Sequence, residues 1–70
     1  MITRDEAIEI ARKEAGSSVG PDSTVRVKLK DDRYVVEFKL VWPPGTRGPD
    51  FVRITIDARS GEVLERLMDA

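Results

Sequence analysis

From Thr24 to Trp42 the chain alternates apolar and polar residues so strictly that the pattern dictates its own pairing. Val25, Val27 and Leu29 alternate with Arg26, Lys28 and Lys30, and after Asp31-Asp32 the apolar positions return at Tyr34, Val36, Phe38, Leu40 and Trp42. A period of two marks a strand with one buried face. With Asp31-Asp32 as a two-residue turn, Lys30 pairs with Arg33. Leu29 then meets Tyr34, Val27 meets Val36 and Val25 meets Phe38 on one face, while Arg26 meets Glu37 on the other. A slip of one residue would turn the whole apolar set toward water, so burial itself fixes the register.

A helix precedes this hairpin. Thr3 suits the N-cap, Glu6 completes a capping box, Ile2 is placed to staple onto Ala7 and Gly16 is the stop, which predicts a helix near Thr3 to Ala15. Ala7, Ile8, Ile10, Ala11 and Ala15 recur at helical spacing, leaving Asp5, Glu9, Arg12 and Lys13 toward water. The stripe is made largely of small residues, which lets the helix sit close to a sheet. Ser17 to Ser23 reads as a connection with one anchor, Val19.

The hairpin strands are expected near Thr24 to Lys30 and Arg33 to Trp42. The segment from Pro43 to Asp50 is too rich in glycine and proline to continue a strand, so the chain must loop there. Val52, Ile54 and Ile56 then alternate with Arg53, Thr55 and Asp57, giving a third strand near Phe51 to Asp57. Asp57 to Glu62 reads as a type I turn closed by a left-handed glycine, Gly61. A fourth strand is expected from Glu62 to about Arg66, although Val63, Leu64, Leu67 and Met68 fit helical spacing as well. The expectation is a single α+β domain over residues 1–70. One N-terminal helix packs on an antiparallel three- to four-stranded meander, in the order α-β-β-β-β.

Seventy residues leave no room for a second lobe, and the chain has no cysteine, so neither a disulfide nor a thiolate metal site supports the fold. Lys plus Arg is 12 against 13 Asp plus Glu, a net charge of -1, which argues against duplex or membrane-surface binding as a whole-molecule property. No stretch is long and apolar enough for a membrane helix, and the N-terminus lacks the pattern of a signal peptide. The chain therefore reads as soluble and unexported, as would a domain cut from a secreted parent; its location is not specified by these features.

Without histidine or cysteine, the common nucleophile and base pairs are missing, so catalysis would fall to carboxylates, lysine or tyrosine. Asp31 and Asp32 are adjacent turn residues that point in different directions, a poor acid and base pair. Asp5 and Glu9 are four apart and could share a cation, but Asp5 suits the helix N-terminus and Glu9 an ordinary pair with Lys13, so a solvated helix face is the simpler reading. Gly45-Thr46-Arg47-Gly48 lacks the ending and the following helix of a phosphate-binding loop. No catalytic residue, cofactor or metal is expected.

Two features could meet a partner. Arg26, Lys28, Lys30, Lys39 and Arg53 should share the open sheet face with only Glu37 and Asp57 against them, opposite a helix side carrying Asp5, Glu6, Glu9 and Glu14. Such a face can hold nucleic acid, but Val35, Val41 and Phe51 offer few stacking platforms, and solvation with guarding of the sheet edge explains the lysines and arginines more simply. The second feature is Trp42 with Pro43, Pro44 and Arg47. Tryptophan is enriched in binding hot spots, yet strand parity places Trp42 with Leu40 and Phe38, closing one end of the core.

Three segments resemble one family. The Thr-x-x-Glu-Ala-Ile-x-Ile-Ala helix from Thr3, the Tyr-Val-Val-Glu-Phe strand from Tyr34 and the closing hairpin from Ile54 to Leu64 are similar to a PepSY domain, in order over Ile2 to Leu64. PepSY modules occur in propeptides of secreted metallopeptidases and in bacterial envelope proteins. The resemblance implies binding or restraint of a peptidase and no catalytic residues. The chain also resembles a computationally designed protein: it lacks His and Cys, and its caps, turns and strand patterns all agree. The leading functional expectation is accordingly a non-enzymatic designed or engineered scaffold. The alternative is a natural PepSY-type module that binds or regulates a peptidase, and the third is a nucleic-acid binder using the basic sheet face. The partner is unknown, with a protein or peptide preferred over nucleic acid and no membrane.

Overall fold

A computed structural model describes residues 1–16, 19, 23–46 and 48–68. Helix α1 spans Arg4–Ala15, and Thr3 caps it from extended backbone. The Thr3 hydroxyl accepts from the Glu6 amide at 3.2 Å and the Glu6 carboxylate accepts from the Thr3 amide at 3.0 Å, so the capping box forms as the sequence predicts. The helix stops at Gly16, whose φ of 65° lies where a side chain would be strained, and whose amide donates to the Arg12 carbonyl. Of the connection that follows, Val19 is described and packs against the core, as expected of an anchor; residues 17, 18 and 20–22 lie outside the described residues.

Four strands follow in a single sheet of order β1-β2-β3-β4: β1 Thr24–Lys30, β2 Arg33–Lys39, β3 Phe51–Asp57 and β4 Val63–Met68. All pairs are antiparallel, and the β1–β2 register is the one dictated by alternation, Val27 opposite Val36 and Val25 opposite Phe38. Asp31 and Asp32 both have positive φ, 52° and 60°, the two left-handed residues of a type I′ turn, whose twist matches that of the strands. At the far hairpin the Asp57 carboxylate accepts from the amides of Arg59 and Ser60, and the Gly61 amide donates to the Asp57 carbonyl at 2.8 Å.

Two boundaries differ from expectation. β2 ends at Lys39 instead of Trp42. Leu40 still donates to the Asp50 carbonyl at 2.9 Å, but Pro43 and Pro44 have no amide to extend the ladder. β4 is a strand through Met68, so the helical alternative is not realised. A register shift opposite Thr55 and Ile56 explains the broken alternation of its sequence. Val63 pairs with Ile56 on the helix side; beyond the bulge Glu65 and Leu67 pair with Thr55 and Arg53 on the open side.

The core lies between α1 and the two central strands. Ala7 and Ala11 are fully buried against Val36, Phe38, Val52, Ile54 and Ile56. The N-terminus is tied to the end of the sheet, the Ile2 amide donating to the Ala58 carbonyl at 2.7 Å and the Tyr34 hydroxyl to the Ile2 carbonyl at 3.3 Å. A helix is about 10 Å across, whereas four strands span about 14 Å between their outer axes, so one helix cannot cover all four. The expected burial of β1 is therefore incomplete: Val25 and Val27 are half-buried and Leu29 is 54% exposed.

Candidate binding surface

The open face of the sheet brings together the basic residues that the alternation assigns to it. Arg26, Lys28 and Lys30 of β1 stand beside Glu37, Val35 and Arg33 of β2, with Arg53 and Thr55 of β3 beyond them. A shallow depression of about 370 Å³ runs over this face, floored by Val35 and Thr55 and bounded by Arg26, Lys28, Lys30 and Glu65. It meets a second, of about 550 Å³, at Arg26 and Glu37, and that one continues to Lys39, Asp50 and Phe51.

One interaction on this face is not legible in the alternation. Glu37 has a cation on either side, Arg26 across β1 and Arg53 across β3. Its carboxylate accepts from Arg53 through both Nε and Nη2, at 3.2 and 2.9 Å. The guanidinium also lies over the Phe51 ring, 5.4 Å from its centre, which fixes Arg53 in a stacked pose. Arg53 is thus held at the middle of the sheet. Among the described residues Arg26, Lys28 and Lys30 make no ion pair with a carboxylate, so the unbalanced charge collects along β1.

Trp42 does not close the core. It is 38% exposed, and its indole Nε1 donates to the Pro49 carbonyl at 2.7 Å, closing its own loop. Gly48 lies so near the ring that a Cβ there would overlap it. The reason is the early end of β2: past Lys39 strand parity no longer aims the side chain at the helix. Pro43 and Pro44 are exposed, and the Thr46 amide donates to the Pro43 carbonyl across a turn with Gly45 at φ 87°. Arg47 lies outside the described residues.

Besides Glu37, four carboxylates have structural partners among the described residues. Asp32 bonds Arg59 at 3.0 Å, Glu14 sits 3.7 Å from Arg66, and Glu6 and Asp57 serve their cap and turn. Backbone and side-chain hydrogen bonds from Thr3 hold the Glu6 carboxyl below its ordinary range, and the amides of Arg59 and Ser60 do the same for Asp57. Among the described residues no group of three or more acidic, His or Cys side chains is gathered to hold a metal, and no helix is long and apolar enough to cross a membrane.

This architecture, a capped helix on a four-stranded meander with a tight Asp-to-Gly closing turn, has a family counterpart. Residues 1–67 match the family described as PepSY, Peptidase propeptide and YPEB domain. The chain belongs to the PepSY family. No curated protein and no solved structure matches it significantly. The PepSY match runs through both hairpins and the Pro43–Pro49 loop, so the open face and both sheet edges lie within the family domain.

Proposed function

We propose that this PepSY chain is a non-catalytic module that binds a peptidase and restrains it. The observation that carries this reading is the family match over residues 1–67, whose description names a peptidase propeptide. The geometry is compatible with it, because the side chains available for contact form surfaces, the basic open face and the uncovered flank of β1, and the carboxylate on that open face, Glu37, is engaged by Arg53.

The test is to mix the purified chain with a panel of secreted metallopeptidases and measure both binding by calorimetry and cleavage of a reporter peptide. Saturable binding with slowed cleavage supports the module. No binding across the panel favours the second reading, an inert engineered scaffold of the same fold, which the mutual agreement of caps, turns and strand patterns recommends. For either reading, no turnover is expected on peptide, ester, phosphate or glycosidic substrates. Turnover that survives repurification and disappears on changing one carboxylate would overturn both.

A further inference from the structure

The two outer strands end the sheet in different ways, and the difference selects a ligand for one of them. In the type I′ hairpin the flanking pair Lys30 and Arg33 is hydrogen-bonded, and alternation then bonds Arg26 and Lys28 to β2 as well. The bond from Leu40 to Asp50 fixes the same phase, since it requires the helix-side residues of β2 to face β3. The backbone amides and carbonyls of Val25, Val27 and Leu29 therefore point outward from the sheet along a regular, unbulged edge. On β4 the edge is interrupted by a bulge, and Arg66 is drawn back toward Glu14 of the helix.

We propose that the β1 edge is a strand-addition site for an extended segment that alternates acidic and aliphatic residues. A strand added there lies about 4.8 Å from β1, with its side chains beside those of β1 on both faces. On the open face its neighbours are Arg26, Lys28 and Lys30, which lack a carboxylate partner among the described residues, so Asp or Glu is favoured at every second position. On the helix face its neighbours are half-buried Val25 and Val27 and exposed Leu29, so aliphatic side chains are favoured between them. The lysines and arginines that guard this edge against neutral strands thus select one kind of partner. A second copy of β1 is disfavoured, because antiparallel pairing would set these cations against one another. Single-stranded nucleic acid would match the charge but not the aliphatic half, and Phe51, the aromatic on the open face, is already stacked under Arg53.

This inference deepens the peptidase-binding reading by naming the kind of segment such a partner would present, and its test uses no peptidase. The whole chain is titrated, by NMR and calorimetry, with a capped seven-residue peptide alternating Glu and Val. Parallel titrations use the Lys and Val counterpart, an all-Glu peptide and a single-stranded oligonucleotide. The expected result is saturable binding of the Glu and Val peptide with amide shifts centred on Val25, Val27 and Leu29. K28E should weaken that binding about tenfold and create affinity for the Lys and Val peptide, while its unchanged melt would show that the fold is intact. Leu29→Ser should weaken the Glu and Val peptide and leave any all-Glu binding unaffected. Lack of binding, shifts centred off β1, or equal affinity for the all-Glu peptide or the oligonucleotide would each overturn the proposal. Peptide binding without any peptidase binding would retire the peptidase reading and leave the edge site standing.

Discussion

The two central strands and the outer strand β1 are written in the same alternating code, yet the code is used differently in each, while β4 breaks it with a bulge. In β2 and β3 the apolar residues meet the helix, so Val36, Phe38, Ile54 and Ile56 are sealed from water. In β1 the same alternation leaves Val25, Val27 and Leu29 only partly covered, and in β4 Leu64, Leu67 and Met68 are each more than 40% exposed. Stability therefore resides in the centre, while the flanks supply surface. Between the flanks themselves, β1 is straight and cationic and β4 is bulged and laced to α1, so one edge is open to addition and the other is blunted.

The sharpest test of this division compares two apolar residues on the same sheet face. Phe38→Ala removes a ring that is 1% exposed and should cost about 3–5 kcal/mol, as large as the whole stability expected of a domain this size. Leu29→Ala should cost less than about 1 kcal/mol, since over half of that side chain is already in water. Chemical denaturation of the two variants measures both, and equal losses would show that the helix covers β1 as fully as β2.

A smaller effect is expected at the loop that joins the two central strands. Gly48→Ala drives a methyl into the Trp42 ring and should cost about 1–3 kcal/mol, with a red shift of tryptophan fluorescence as the indole leaves Pro49. Gly45→Ala meets no atom, so its cost comes from left-handed backbone alone, about 1 kcal/mol, with the fluorescence unchanged. A fluorescence shift in the second variant and none in the first would reverse the assignment.

At the flanks the expected changes are slight. Arg66→Ala breaks a 3.7 Å exposed pair with Glu14 and should shift stability by no more than about 0.5 kcal/mol. A larger loss would mean that β4 depends on the helix more than its exposure implies. Acid titration addresses the turn that carries β4. The folded Asp57 carboxyl titrates below its unfolded value, so its contribution is complete above the unfolded range and is lost as pH falls through the folded one. Asp57→Asn keeps the amide-accepting oxygen and removes the titration, so its melting temperature should fall less steeply than the parent's below about pH 4. Parallel acid limbs for the two proteins would exclude Asp57 from the acid response.

Much of the fold was legible because its signals are local. The capping box at Thr3 and Glu6, the left-handed stop at Gly16, the Asp31-Asp32 turn and the Asp57–Gly61 turn each involve residues within a few positions of one another, where backbone geometry decides the outcome. Strand parity added the face assignments of Arg26, Lys28, Lys39 and Arg53. Trp42 departs from its expected place in the core because it lies past Lys39, where the chain is no longer strand and parity no longer sets the direction of a side chain.

Period-two alternation and turn chemistry are enough to set the order of elements, the first hairpin's register and the separation of basic open face from helix-covered face. Which strands the helix covers, which of two arginines takes Glu37, how a bulge in β4 turns Glu65 and Leu67 to the open side, and that Trp42 closes its own loop emerge only once the chain is packed. Those outcomes depend on the width of one helix against four strands and on competition between residues distant in the chain, which no local pattern encodes.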